Sequence, residues 1–463
     1  MATSFLKLTD ELLKQTTSRC LVCHAPCPAE VWRTGGIPQR VMLKRTCPAH
    51  GESSVCIASD ARFYWLAKGK DANACGCGPG ACCSADGTNA GSLGRNAEPG
   101  EALGVMEKLA TCLALIEIVH SCNLTCPTCY ADSPLGTGQK VDAVPLEDLQ
   151  RRIQGVIDRK GKIEILQLSG GEPTLHPQFF ELLRWLHAHP QIDCVLLNTN
   201  GVRIANDDAF ARELAGTFRY GRFQLYLQFD GTQEAGQQFL RGADLRATRE
   251  RCLEHCRDMK LPVTLAMTVT PDNLANLWEA IEFGLRWPTV RGICFQPMFG
   301  SGRIPVSSNG HGNGAATARL NTADIILASV EQSGGKLKFD DFTPLPCGDP
   351  NCAVIGYLLK LGGQVRSVSE FIDFKNVQGF LSTKVRYKLE DLMKCGCESE
   401  PLGDLLKRFE LDESHTFRLF IKPFMDAATW DEDRIDRCCT HVIRPDGKLD
   451  SFCRYYSGFA DCK

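Results

Sequence analysis

From Thr111 to about Gly300, short apolar runs alternate with longer stretches whose apolar positions recur every three or four residues. The short runs have the length of buried strands, and the longer ones have the periodicity of helices packed on one face. Six strands are predicted: Leu113 to Val119, Ile163 to Leu168, Cys194 to Asn198, Phe223 to Phe229, Val263 to Val269 and Gly292 to Gln296. Helices are predicted at Pro145 to Arg159, Pro177 to His187, Asp207 to Ala215 and Leu245 to Met259. Repeated strand-helix units imply an α/β fold with a parallel sheet, and six of them suggest a partial (β/α)6 barrel whose ligands sit where the strands end. No internal repeat or heptad is present.

The pattern changes on both sides of this region. Ser84 to Gly104 is small and polar and reads as a linker. Gly300 to Ala318, GSGRIPVSSNGHGNGAATA, leaves the ligand face after the last strand and reads as either a substrate lid or a plain solvent loop. The resulting division is a zinc-binding, rubredoxin-like module at 1–70, a cluster segment and linker at 71–111, the barrel at 112–320 and a cysteine-rich C-terminal domain at 321–463.

A chain of 463 residues has room for two or three packed units. With 43% hydrophobic and 23% charged residues, it has the composition of a folded globular protein. Fifty-two basic residues against 55 acidic ones leave a net charge of −3, which excludes a protein that holds nucleic acid mainly by bulk charge. The N-terminus lacks the apolar core of a secretory signal, and no uncharged apolar run approaches the roughly 18 residues of a membrane span. A reducing cytoplasmic location is expected.

Cysteine is the outlying feature, with 25 residues, an odd number that internal disulfides cannot fully use. In a reducing compartment, clustered thiols read first as metal ligands. Cys20 and Cys23 form a C-x2-C pair, and Cys47 with His50 can complete a tetrahedral zinc site, for which Cys27 and Cys56 also compete. Unligated thiols are the plain alternative there. Cys194, Cys252, Cys256 and Cys294 lie on apparent strands and a helix and read as core packing.

CNLTCPTCY sets Cys122, Cys126 and Cys129 on one short loop directly after the first barrel strand. Three thiolates can hold three irons of a cubane and leave the fourth open to a small molecule. A zinc site or chance spacing is the alternative for that loop taken by itself. At the end of the second strand stands LSGGEP, where Gly170 and Gly171 let backbone approach a ligand and Glu172 offers charge. The third strand ends in NTNG and the fourth in QFDG, so Asn198, Asn200, Gln228 and Asp230 lie on the ligand rim, as does Gln296 at the end of the sixth. Turn chemistry alone would also explain these residues.

The pair of CNLTCPTCY and LSGGEP resembles the radical S-adenosylmethionine (SAM) superfamily, over Leu113 to Gln296. The resemblance implies a radical SAM barrel in which Cys122, Cys126 and Cys129 hold a 4Fe-4S cluster and SAM chelates the open iron. It also implies that Gly170, Gly171 and Glu172 contact the SAM amino group, that Tyr130 sits beside adenine, and that the rim residues bind ribose or the methionine carboxylate. The outer segments CLVC, TCPAHG, SDARFYW, LPCGDPNC, PFMDAATWD and RCCTHVIRPDGKLDSFC resemble the branch containing tetraether lipid synthases and hydroxymethylpterin methyltransferase-like proteins.

That branch implies two auxiliary clusters. One would use Cys112 with three of Cys75, Cys77, Cys82 and Cys83, although CGCGPGACC departs from the branch's C-x3-C-x2-C pattern. The other would use Cys347, Cys352, one or both of Cys438 and Cys439, and Cys453. Cys395 and Cys397 are spare ligands or solvent thiols.

The resemblance implies that a reduced cluster cleaves SAM and that the 5'-deoxyadenosyl radical takes a hydrogen atom from an inert C–H bond, with an electron donor such as ferredoxin or flavodoxin. The leading expectation is carbon-carbon bond formation on lipid alkyl chains, a transferase of lipid biosynthesis with peripheral membrane contact. The alternative is a methyltransferase acting on a pterin-like small molecule. A redox sensor or electron-transfer protein is the reading of another class. No individual catalytic side chain is singled out, and no nucleic-acid partner is expected.

Overall fold

The computed structural model describes residues 9–66, 111–304, 319–345, 348–361, 363–370 and 415–458. Four strands, β1 (Glu11–Arg19), β2 (Pro26–Arg33), β3 (Val41–Cys47) and β4 (Gly51–Ala58), form an antiparallel meander in sequence order. Alternation along β3 buries Val41, Leu43, Arg45 and Cys47 while Lys44 and Thr46 face outward. The resulting core is small, made chiefly of Val31, Val41, Leu43 and Tyr64. A core of that size needs a metal or docking to hold it.

All six predicted barrel strands form: β5 (Leu113–Val119), β6 (Ile163–Gly170), β7 (Ile192–Thr199), β8 (Phe223–Gln228), β9 (Val263–Val269) and β10 (Val290–Pro297). They pair in parallel, each beside the next. Strands covered on both faces read as nearly continuous apolar runs, which is why the sequence marks them well. Ala114, Ile116 and Ile118 of β5 face the helical layer and join the main core, whereas Leu115 packs inward. The covering helices include α1 (Leu146–Lys160), α2 (Phe179–Ala188), α3 (Val202–Asn206), α4 (Asp208–Thr217), α5 (Glu234–Arg241), α6 (Arg246–Asp258) and α7 (Leu277–Leu285). Each fully buried Leu, Ile or Phe of that core contributes about 1.5–3 kcal/mol from removal of apolar surface from water.

The sheet does not stop at six strands. After α8 (Thr322–Gln332), β11 (Thr343–Pro344), β12 (Val354–Leu361) and β13 (Gln364–Ser367), the chain adds β14 (Thr416–Ile421), then β15 (Thr440–Ile443) and β16 (Leu449–Ser451). β14 pairs in parallel with β10 and β15 in parallel with β5, so the C-terminal region flanks both ends of the six-stranded arc. Lys422, just past β14, donates to the Thr440 hydroxyl at 2.8 Å, which brings the two outermost parallel strands together and curls the sheet. Between them lie α9 (Glu432–Asp436) and a second apolar cluster of Leu115, Met425, Trp430, Ile435, Phe452 and Tyr456, the last two on α10 (Phe452–Ser457). Among the described residues no helix is long and apolar enough to cross a membrane.

Candidate functional site

The loop carrying Cys122, Cys126 and Cys129 leaves the C-terminal end of β5 and folds against the turn that ends β6. Cys122 donates its N–H to Pro134 at 2.8 Å and accepts from Gly136 at 2.9 Å, fixing the loop's start. Gly171 N–H reaches the Val119 carbonyl at 2.8 Å, and Glu172 N–H reaches the Ser121 carbonyl at 3.1 Å. A Cβ on Gly170 would stand 2.0 Å from the Val119 oxygen, and one on Gly171 would stand 2.0 Å from the Ser121 oxygen. The two glycines are therefore required by the backbone of the cysteine loop, and with Glu172 and Asn200 they also line a cavity beside it.

Glu172 is buried and acts as a hub. Its carboxylate accepts from the Thr174 hydroxyl at 2.7 Å, the Thr199 hydroxyl at 2.7 Å and the Asn200 N–H at 2.8 Å. Burial pushes its pKa up, against the pull of these donors. Asn200 in turn donates to the Asn123 side chain at 2.7 Å, and it accepts from the Val202 N–H at 2.9 Å at the start of α3. One buried carboxylate thus ties the ends of β6 and β7 to the cysteine loop.

Two contacts absent from the sequence reading complete the cradle. Arg303 donates to the carbonyls of Cys126 at 3.0 Å and Ser133 at 2.8 Å, and its backbone exchanges hydrogen bonds with Cys129 at 2.8 and 2.9 Å. Gly302, at φ +62, permits this, since a Cβ there would meet the Cys129 oxygen at 2.2 Å. The first residues of the Gly300 to Ala318 stretch are therefore a brace for the cysteine loop, while 305–318 lie outside the described residues. On the other side the Thr128 hydroxyl donates to the Leu240 carbonyl at 3.0 Å, and Gly242 packs on Pro127 where α5 ends.

These walls enclose a cavity of about 140 Å³ that Cys122, Cys126 and Cys129 line together with Asn198, Gln228 and Gln296. Gln296 also donates to the Tyr226 hydroxyl at 2.8 Å. Tyr130 presents its ring to the cavity, with its hydroxyl 3.3 Å from Ser169 and 3.4 Å from the Asn198 amide, and its other edge packs on Phe452 and Tyr456. Asp230 does not line the cavity. It is buried at φ +62 with Arg241 bound to both carboxylate oxygens, at 2.6 and 3.0 Å, and with the Thr268 N–H at 3.0 Å. Burial raises the Asp230 carboxyl, but the Arg241 charge and those donors win and hold it below its ordinary value.

Two cations line the cavity, Arg303 and, at the C-terminal end of α5, Arg241. No sequence signal marks Arg241, because its partner is eleven residues away across a turn. Burial, together with the Glu172 charge, pushes the Cys122 thiol up to about 12. A ligand that favours the thiolate must offset that penalty, as iron does.

The zinc expectation concerns a separate place. Cys20, Cys23, Cys47 and His50 put one donor atom each within 4.8 Å of one another. The Cys20 and Cys47 sulfurs lie 3.6 and 3.5 Å from His50 Nδ1, and the Cys23 and Cys47 sulfurs are 3.9 Å apart. Backbone N–H groups of Cys23 and Val22 aimed at the Cys20 sulfur hold its pKa at about 6. This soft tetrahedral donor set fits zinc. Cys27 and Cys56 fall outside the group: Cys27 is buried beside it, and Cys56 sits on β4 opposite Met42.

Of the expected auxiliary ligands, Cys75, Cys77, Cys82, Cys83 and Cys347 lie outside the described residues, as do Cys395 and Cys397 and the Ser84 to Gly104 linker. The others converge. Burial and the neighbouring sulfurs of Cys453, Cys352 and Cys439 all push the Cys438 thiol up. Gly348, next to Cys347, approaches Cys439 so closely that a Cβ would stand 3.2 Å from its sulfur. Cys112 donates its N–H to the Cys439 carbonyl at 2.9 Å, so β5–β15 pairing draws it towards the C-terminal group. Cys194, Cys252, Cys256 and Cys294 are buried in strands and a helix.

Comparison with known proteins bears on this geometry. Residues 116–284 match the radical SAM superfamily, and residues 12–59 match the HMPTM N-terminal zinc ribbon domain. The chain is 25% identical to 7,8-dihydro-6-hydroxymethylpterin dimethyltransferase of Methanocaldococcus jannaschii, over 96% of this chain and 93% of that one. It is 33% identical to mycofactocin maturase MftC of Mycobacterium ulcerans over 35% of this chain and 41% of the maturase. SuiB of Streptococcus suis, in its crystal structure bound to S-adenosylmethionine, is 16% identical over 40% of this chain and 39% of SuiB, with a TM-score of 0.33.

Proposed function

We propose that this radical SAM enzyme, with its N-terminal zinc ribbon, takes a hydrogen atom from a pterin-like heterocycle and joins the ring carbon to the methyl group of a second, one-carbon-carrying substrate, whose bond to that carbon breaks while an iron-sulfur cluster returns one electron. The observation that carries this reading is the similarity to a hydroxymethylpterin dimethyltransferase along nearly the whole of both chains. The alternative drawn from sequence is thereby preferred to the lipid alkyl chain. The lipid reading would be favoured by a long apolar tunnel.

Cys122, Cys126 and Cys129 would hold the 4Fe-4S cluster, which with bound SAM supplies the electron and the carbon radical. Arg241, kept charged and oriented by Asp230, is placed for an anionic group such as the methionine carboxylate. Asn198, Gln228 and Gln296 offer amides to hydroxyl groups, and the Tyr130 ring gives a flat apolar wall. Glu172 positions the loop through Asn200 and the β6–β7 turns. Cys352, Cys438, Cys439 and Cys453, with Cys347, would hold an auxiliary cluster, and a small reducing protein such as ferredoxin or flavodoxin would feed electrons in the cytoplasm.

The test is incubation of the anaerobically reconstituted enzyme with SAM, a reductant and ring-deuterated dihydro-hydroxymethylpterin. Deuterium should appear in 5'-deoxyadenosine. SAM cleavage that neither depends on the pterin nor carries its deuterium rejects the reading. No SAM cleavage at all would favour the electron-transfer alternative.

A further inference from the structure

A second, smaller space adjoins the cavity at the cysteine loop. The two share the stretch Pro297, Met298 and Phe299, which follows β10. The far walls of this second space come from two segments outside the six-stranded arc. One is the segment leaving the zinc ribbon, with Ile57 on β4 and then Phe63 and Tyr64. The other is the C-terminal segment between β14 and α9, with Phe424, Met425 and Thr429, reaching Arg434 on α9. Phe424 packs on Phe299 with ring centres 5.3 Å apart and stacks on Phe452 at 4.2 Å, so one side of the space is a bank of aromatic rings.

Two polar atoms of residues lining it make no hydrogen bond. The Tyr64 hydroxyl is buried, with the residue only 8% exposed, and is unpaired. Arg434 Nε makes none either, facing Asp349 Oδ1 in an ion pair at 3.8 Å, while the far end of the guanidinium donates to the Asn351 carbonyl at 2.9 Å. A buried polar atom without a hydrogen bond is destabilising, so two of them beside one space call for an explanation. Aromatic walls with a few convergent polar groups are the usual make-up of a small-molecule site.

From this arrangement we infer that the chamber between the zinc ribbon and the C-terminal segment is the substrate site, and that it takes a planar heteroaromatic ring with hydrogen-bonding atoms along one edge. The rings of Phe299 and Phe424 contact the face of the ligand. Tyr64 and Arg434 meet its polar edge, the phenol as donor or acceptor and the guanidinium as donor. The shared wall at Met298 and Phe299 sets the reacting atom towards the cavity of the three cysteines. This inference rests on the pterin-like reading and deepens it by naming the residues that recognise the ring.

The ribbon then has a stated task. Arg45, buried on β3, donates to the carbonyls of Arg19 at 2.9 Å, Ala427 at 2.7 Å and Ala428, joining the ribbon to the C-terminal segment that forms the opposite wall. The space is about 50 Å³ as it stands, smaller than a bicyclic ring, so admitting one requires the half-buried Met298 on the shared wall to change rotamer, which an unbranched thioether does readily.

The test is calorimetric titration of 6-hydroxymethyl-7,8-dihydropterin into the anaerobically reconstituted, SAM-bound holoenzyme, with Tyr64→Phe and Ile57→Phe as variants. Tyr64→Phe removes only an unsatisfied hydroxyl and should fold as the wild type, while its pterin affinity falls about tenfold. Ile57→Phe fills the chamber from the ribbon side and should weaken binding at least as much. SAM affinity should be unchanged in both. Pterin binding by both variants at wild-type strength overturns the chamber and leaves the pterin reading standing. Failure of the wild type itself to bind the pterin overturns that reading, and the ligand class proposed here with it.

Discussion

The α-carbon of Gly171 packs so closely on Ser121 that any side chain would bring a Cβ to 2.0 Å from the Ser121 carbonyl oxygen. This contact holds the start of the cysteine loop against the turn after β6. Gly171→Ala must move one backbone or the other, an overpacking cost of about 1–3 kcal/mol. The expected outcome is a folded protein whose iron content at the loop falls severalfold, read by metal analysis and by the electron paramagnetic resonance signal of the reduced cluster. A wild-type signal in that variant would mean that the loop tolerates displacement.

Arg303 should behave differently, since it clamps the loop from outside through the Cys126 and Ser133 carbonyls. Arg303→Ala is expected to leave the melting temperature within a few degrees of wild type while speeding cluster loss in air about tenfold. Arg303→Lys, which cannot span two carbonyls with one planar fork, should restore only part of that protection. Bleaching of the cluster absorbance measures both.

The Asp230–Arg241 pair supplies a pH signature. Because the folded carboxyl titrates below its ordinary value, its contribution to stability is complete above that value and is lost as pH falls through the depressed one. Asp230→Asn should therefore flatten the acid limb of the stability curve below about pH 4. At neutral pH it should cost about 3–5 kcal/mol, because Arg241 is left buried and unpaired. Denaturant melts of both proteins across pH decide the point, and parallel acid limbs would count against the pair.

Zinc removal should act locally. The ribbon core is small, so chelation or Cys47→Ser is expected to raise amide exchange at Val31 and Leu43 by orders of magnitude. Exchange in β6 should stay near wild type. If the barrel loosens equally, the ribbon and the barrel form a single cooperative unit.

The legibility of this chain followed physical range. Strands such as β5 and β9 could be read residue for residue because burial on both faces makes them unbroken apolar runs. The grouping of Cys20, Cys23, Cys47 and His50 was legible because C-x2-C and C-x2-H are local spacings. What was hidden depends on distant partners. Nothing in Thr416–Ile421 says that it will pair with β10, or in Thr440–Ile443 that it will pair with β5.

The rim residues illustrate the same limit. Asn198 and Gln228 line the cavity, but Asp230 turns away because Arg241 captures it. Arg303 lies in a glycine-rich stretch that reads as either a substrate lid or a solvent loop, and no local spacing marks it as a brace. The Gly170–Gly171 pair was legible as a place of close approach and lines the cavity, while its packing on the Val119–Ser121 backbone depends on a loop about fifty residues away in sequence.

SAM is expected to be cleaved at the loop of Cys122, Cys126 and Cys129. This is tested most directly by replacing all three with Ala, reconstituting the variant beside the wild type without oxygen, and measuring 5'-deoxyadenosine after addition of SAM and a reductant. The expected result is steady release by the wild type and none by the variant, which should keep its zinc and fold. Release by the variant at the wild-type rate would contradict it.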